Sequence, residues 1–388
     1  MSQPAATESR LEATPPARIL PELAWYFLRL GTWGFGGPIA LAGYMQRDLV
    51  EEKRWFTRQE YLDGLALAQL APGPLAAQLA MYLGLLRGGT LGASLVAVAF
   101  IAPSFLMVLA LSFFYVKFGG LPWMQAAFYG VGAAVVAIIA RSAIKLIKTA
   151  IGKDKLLWAI FLVLLAATAF TEREIVWLFL AGGVLSLLVK ARPKLSPSLS
   201  SFALPISSSV SVGSSLFFQV LLFFTKASLF VFGSGLAIVP FLHGGVVLER
   251  HWLTEQQFID AVAVAMITPG PVVITVGFIG YIVHGWSGAI AAAIGVFLPV
   301  YLVVVIAGPF YKNFAGNPQL RAFVQGVTAA ATGAIAGAII VLARRSVIDL
   351  PTILIATISL SLLLLFKWKI PEPLVISAAA IAGLLLHR

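Results

Sequence analysis

Two helix-breaking segments occur twice in this chain at a fixed separation, and no other feature constrains its fold as tightly. Leu70-Ala71-Pro72-Gly73-Pro74-Leu75 returns as Ile267-Thr268-Pro269-Gly270-Pro271-Val272, and Phe35-Gly36-Gly37-Pro38 is echoed by Phe232-Gly233-Ser234-Gly235. The offsets agree, since 269 − 72 and 232 − 35 both equal 197. The same offset pairs Phe27 with Phe224, Arg29 with Lys226, Glu52 with Glu249, Trp55 with Trp252, Thr57 with Thr254, Gln59 with Gln256 and Asp63 with Asp260. After one deleted position the offset is 196 and pairs Gly84 with Gly280, Gly92 with Gly288, Pro103 with Pro299 and Gly130 with Gly326. A period this long, present twice, is not a solenoid or propeller repeat. It is a duplicated bundle.

The bundle belongs in a membrane. With 60% hydrophobic and 11% charged residues and a mean hydropathy of +0.95, the chain cannot present the polar surface that a soluble fold needs. The absence of cysteine excludes disulfides and thiolate chemistry. The formal charge of +11 sits in short loops between apolar runs, as the positive-inside bias places it, and no nucleic-acid partner is inferred. The histidines, His243, His251, His284 and His387, have no metal-ligand spacing with a carboxylate, and neither a metal nor another cofactor is expected.

Along the chain, residues 1–21 read as a disordered tail, 22–190 as a first membrane repeat, 191–215 as a Ser/Pro-rich linker and 216–388 as a second repeat. The first apolar segment, about Glu22 to Gln46, is weakened at its middle by Gly31, Gly34, Gly36, Gly37 and Pro38, and is counted as one crossing. Thr57 with Glu60 has capping-box spacing, so a helix starts there and runs until Pro72 interrupts it. If that broken segment crossed the membrane, the basic loops Arg47–Arg58 and Arg141–Lys155 would face opposite sides; a re-entrant hairpin keeps them together. Five crossings then remain per half, and the odd number inverts the second repeat. The expected fold is an all-α integral membrane protein with two homologous, inverted repeats, about ten spans and two re-entrant hairpins.

Such breaks are where secondary transporters bind their cargo. A broken helix leaves backbone N–H groups unpaired, the half-helix after Pro74 or Pro271 begins with partial positive charge, and glycine lets a ligand approach the backbone. The candidate substrate-binding residues are Gly36, Gly37, Pro38, Gly233, Ser234, Pro72, Gly73, Pro74, Pro269, Gly270 and Pro271, with Gln78 and Thr275 one turn beyond each break. A charge inside an apolar segment costs at least about 2.5 kcal/mol on insertion scales, so Arg29 and Lys226 are read either as a cation pair for one dianion or as side chains snorkelling to an interface. Asp63 and Asp260 either carry a coupling proton or pair with Arg54 and Arg250. Gly73→Leu and Gly270→Leu are expected to abolish transport while leaving expression near normal.

Phe-Gly-Gly-Pro, a basic loop ending in Trp55, then Leu-Ala-Pro-Gly-Pro, all duplicated, resembles the CHR family of chromate ion transporters in its two-domain form. The resemblance spans nearly the whole chain outside the tail and linker. It implies export of chromate across a bacterial inner membrane, driven by the electrochemical gradient without ATP, with Arg29 and Trp55 among the sensitive positions. The second half departs from the pattern, with Ser234-Gly235 for Gly37-Pro38 and His251 for Arg54. Residue spacing does not separate chromate from sulfate, another tetrahedral dianion, so both stay open as substrates. The lipid bilayer is the other partner, and a homodimer is an assembly left open. An anion channel and a membrane-embedded reductase are the rival classes; the latter would need a flavin, haem or metal site.

Overall fold

The computed structural model describes residues 16–35, 37–118, 122–171, 176–191, 215–229, 231, 238–311, 316–365 and 372–386. Among these residues there is no strand; fourteen helices carry the fold. In the first half they are α1 (Pro16–Trp33), α2 (Gly37–Met45), α3 (Arg58–Leu70), α4 (Leu75–Phe118), α5 (Pro122–Leu146), α6 (Lys155–Thr171) and α7 (Val176–Lys190). The second half repeats them as α8 (Leu216–Ser228), α9 (Ile238–Leu242), α10 (Glu255–Ile267), α11 (Thr275–Ala307), α12 (Pro318–Ser346), α13 (Leu350–Leu365) and α14 (Glu372–Leu386). Wide π-type turns, Gln46–Glu52 and His243–Glu249, extend α2 and α9. The linker between the halves lies almost wholly outside the described residues, as does the tail up to residue 15. Helix α1 begins earlier than the expected tail boundary: Pro16 suits a first helical turn, and Ile19 is buried.

The breaks are hairpin tips. Thr57 and Thr254 each close a full capping box, so α3 and α10 start where their sequences say. Helix α3 stops at Leu70 and the chain turns back: Gly64 packs against Tyr82 and Leu79, and Arg87 forms a two-pronged ion pair with Glu60 at 2.8 and 2.9 Å. Arg87 also donates to the Trp55 carbonyl, which fastens the hairpin at its base. A second reversal follows at once. Gly84 and Gly92 would stand about 12 Å apart in a straight helix, yet a Cβ on Gly84 would lie 2.5 Å from the Gly92 carbonyl oxygen. The chain doubles back at Gly88 and Gly89 (φ 57°), and His284 with Gly285 (φ 59°) makes the same turn inside α11.

One expectation changes here. Tyr26 on α1 donates to Asp48 at 3.1 Å although 22 residues separate them, so the segment from Glu22 to Gln46 is a folded-back pair and not a single span. Its second-half counterpart, about Leu216 to Leu242, behaves alike: Phe223 stacks on Phe241 with centroids 5.6 Å apart. Each half therefore contributes two broken hairpins, and the count of ten crossings, which took these segments as whole spans, does not describe the architecture. The glycines that end the first segment prevent a continuous helix through it.

Helix α5 packs against its own equivalent, α12. Gly132 of α5 lies beside Ser346 at the end of α12, and the Ile147–Ile151 turn that follows α5 is also in contact with α12. These two helices are the most buried of the long apolar ones. The terminal helices are exchanged across the boundary: Gly333 and Gly337 of α12 sit against the α6 backbone, and Gly130 of α5 sits against α14 at Ala379 and Gly383. Small residues permit this close approach, as they do wherever apolar solvent gives helices no hydrophobic drive to associate. Lys190 returns to Asp154 at 2.5 Å and holds that carboxyl below its usual range. The outer faces of α4 and α11 expose Leu95, Val98, Leu106, Ile290, Ile294 and Leu298, an apolar surface suited to lipid.

Gly270 carries φ +93° and its Cβ position overlaps the Ser104 hydroxyl, whereas Gly285 has φ +59° with open space around it. A non-glycine residue in either conformation costs about 1–2 kcal/mol, so Gly270→Ala is expected to lose more thermal stability and folded yield than Gly285→Ala. Unfolding in detergent checks this. The same geometry turns the expected outcome for Gly73→Leu and Gly270→Leu from normal expression to poor folding.

Candidate functional site

At the centre of the molecule each broken tip is bonded to the other half. The Gly73 N–H donates to the Val231 carbonyl at 2.6 Å, and the Gly270 N–H donates to the Gly34 carbonyl at 2.8 Å. Because 34 + 197 = 231 and 73 + 197 = 270, these are one bond and its symmetry mate. Ser104 fills the space beside Gly270 and Val300 the space beside Gly73, again at matched positions. Pro72, Pro74, Pro269 and Pro271 flank these bonds. The Pro72 carbonyl accepts from Gln78 Nε2 at 2.8 Å, Pro74 and Pro271 accept the first amides of their half-helices, and Pro269 is buried. Gln78 is fully buried and its Oε1 has no partner, while the Thr275 hydroxyl donates to the Val272 carbonyl at 2.7 Å. The two glycine amides proposed for an anion are thus already engaged. Gly37 opens α2 at φ +73° with Pro38 next to it; Gly36, Gly233 and Ser234 lie outside the described residues.

A cavity of about 1410 Å³ opens beside the end of α1 at Gly34. It extends to Gly34 and Phe35 and is bounded by α1, the turn after α2, the loop to Trp55, the end of α5 and the start of α14. Its cations are Arg29, Arg47, Lys53, Arg141 and Lys145, set against Glu22, Asp48, Glu52 and Glu372. Arg47 is taken by Asp48 at 2.7 Å and Glu52 at 3.6 Å, Arg141 faces Glu372 at 3.7 Å, and Lys53 lies over the Trp55 ring. Arg29 has no ion pair among the described residues. The volume exceeds the roughly 300–1000 Å³ of a fitted ligand pocket, so the space is a vestibule wide enough for hydrated ions. It also brings Arg47 and Lys53 of the first basic segment to the same cavity as Arg141 and Lys145 at the start of the second.

The matching place in the second half is filled. Tyr26 and Asp48 become Phe223 and Gly245, and a Cβ on Gly245 would overlap the Phe223 ring. Phe223 stacks on Phe241 and meets Trp252 edge-on at 5.5 Å, with Arg250 lying over both Phe223 and Trp252. Lys226 is exposed on α8 and does not line the cavity, so the structure does not bring it together with Arg29.

The aspartates differ in the same sense. Asp260 is buried and accepts from Tyr115 at 2.7 Å and Gln256 at 2.8 Å. Asp63 is half-buried and accepts from Gln59 at 2.8 Å, while Tyr311, the equivalent of Tyr115, lies near it without a hydrogen bond. Neither carboxylate pairs with Arg54 or Arg250. Sequence spacing does not reveal Tyr115, Arg141 or Glu372, which reach their partners across the repeat boundary; a lone acid at the start of an apolar helix was the available signal for Glu372.

The family profile described as Chromate transporter matches residues 21–187 and 218–384, one copy per half. A chromate transport protein of Cupriavidus metallidurans is 59% identical over 381 residues, covering 96% of this chain and 95% of the relative. A probable chromate transport protein of Synechococcus elongatus is 57% identical, covering 95% and 96%, and a chromate transport protein of Pseudomonas aeruginosa is 34% identical, covering 98% and 96%. No solved structure matches the chain at a significant level. With both repeats matched and relatives this similar along nearly their whole length, the chain belongs to the chromate transporter family.

Proposed function

We propose that this chain is a secondary active transporter that exports chromate across the cytoplasmic membrane and thereby confers resistance to it. The observation that carries the reading is the unpaired Arg29 guanidinium in a multi-cation vestibule that ends at the interlocked tips. Guanidinium matches the geometry of a tetrahedral oxyanion through paired N–H donors. The names of the similar proteins supply chromate as the cargo.

The broken hairpins enter and leave the bilayer on one side, those of the first repeat from the cytoplasm and those of the second from the outside. The positive-inside bias favours this orientation, because Arg47, Lys53, Arg141 and Lys145 gather at the vestibule. An open cytoplasmic vestibule opposite an aromatic-filled counterpart is one state of an alternating-access cycle. The Gln–Asp–Tyr groups serve as latches in that cycle, closed at Asp260 and released at Asp63. Each aspartate stays at its own end, which suits gating better than carrying a proton across.

Uptake of chromate into inverted membrane vesicles tests the proposal. Wild type takes up chromate and loses uptake when the gradient is dissipated, whereas a channel would be indifferent to it. Arg29→Ala lowers uptake about tenfold or more, the usual effect of removing a charge-assisted bond. Lys226→Ala stays near wild type. Undiminished uptake by Arg29→Ala would remove the basis of the site, and excess sulfate in the same assay reads selectivity between the two dianions.

A further inference from the structure

Glu372 is out of place in an anion vestibule. It is the first residue of α14, its side chain is largely buried, and it sits on the cavity wall against Arg141 of α5 at 3.7 Å. Lys145, one turn further along α5, lines the same wall and acts on the same carboxylate. An ionised Glu372 is thus a built-in anion, already holding the guanidinium that a soluble oxyanion would need. The pair is loose, at the outer edge of ion-pair distance, and so is open to exchange. The counterpart of this wall has no such chemistry, since Arg141 and Lys145 align with Gly337 and Val341.

We propose that Glu372 is a proton-binding residue whose protonation releases Arg141 to the oxyanion. The inference rests on the vestibule being the chromate site. At lower pH a proton binds Glu372, the carboxyl becomes neutral, and Arg141 is left to bind the incoming dianion. At higher pH the carboxylate re-forms and competes with cargo for it. Where the carboxylate is ionised before cargo arrives, up to one proton is therefore taken up with each oxyanion bound. Among the described residues the other titratable groups facing this wall are Glu22, Tyr26 and Arg29 on α1, Tyr44 on α2, and Arg47, Asp48, Glu52 and Lys53 beyond it. Asp48 and Glu52 are occupied by Arg47, and Glu372 is the acid set against α5.

The test measures chromate binding to the purified full-length protein between pH 4.5 and pH 8, a range that starts at the ordinary glutamate value, for wild type and Glu372→Gln. Chromate speciation is the same for both proteins, so the ratio of their affinities at each pH isolates the side chain. The ratio is expected to favour Glu372→Gln by about tenfold at pH 8, as for the loss of a competing charge, and to fall towards one as the pH is lowered and the wild-type carboxylate takes up its proton. Proton uptake on adding chromate in weak buffer is expected in wild type and reduced by up to one proton per site in the variant. Arg141→Gln binds chromate weakly at every pH, and melting curves of all three proteins establish that they are folded. An affinity ratio constant with pH, or equal proton uptake by both proteins, overturns the proposal while leaving chromate transport intact. Wild type that binds no chromate at any pH overturns both.

Discussion

Two backbone hydrogen bonds hold the architecture together. Breaking a helix inside an apolar medium strands amides and carbonyls that water cannot reach, and each unsatisfied group there costs several kcal/mol. The Gly73 and Gly270 amides meet that requirement with the carbonyls of Val231 and Gly34, so each half supplies what the other lacks. Glycine is required at both points because the chain takes φ values of +134° and +93° while Val300 and Ser104 close in. The exchange of terminal helices onto α5 and α12 follows the same logic at a larger scale. Neither repeat is a complete structure by itself.

Symmetry in the backbone coexists with asymmetry in the side chains. Both capping boxes form, both doubling-back turns share their dihedral angles, and Arg54 and His251 occupy the left-handed region at the same place in each copy, with φ of 52° and 51°. Upon this common frame the first half presents Tyr26, Asp48 and Arg141 where the second presents Phe223, Gly245 and Gly337. One end consequently holds a charged, hydrated space and the other a packed cluster of rings. The duplicated scaffold thus carries two chemically different ends.

Much of this was legible in the residues. The breakers, the tryptophans and the cap threonines announce the duplication, because each acts through its own local chemistry and keeps its spacing. The fold-back at Gly34 was not, since an apolar run of about 25 residues has the length of a span, and only the Tyr26–Asp48 bond reveals the reversal. Arg29 and Lys226 show the limit of arguing from symmetry: equal positions in sequence gave one a cavity and the other an outer face. Glu372 and Arg141 meet from 231 residues apart, a distance over which no periodicity informs.

The interlocked tips also set the order in which the molecule can be completed. Gly73 waits for a carbonyl that is translated 158 residues later, a delay of about 8 to 30 seconds at 5–20 residues per second. Throughout that interval the nascent first repeat holds an unpaired amide, and either water, the insertion machinery or a provisional partner must shield it. The bundle is thus completed only once the second half has been made and its carbonyl reaches Gly73.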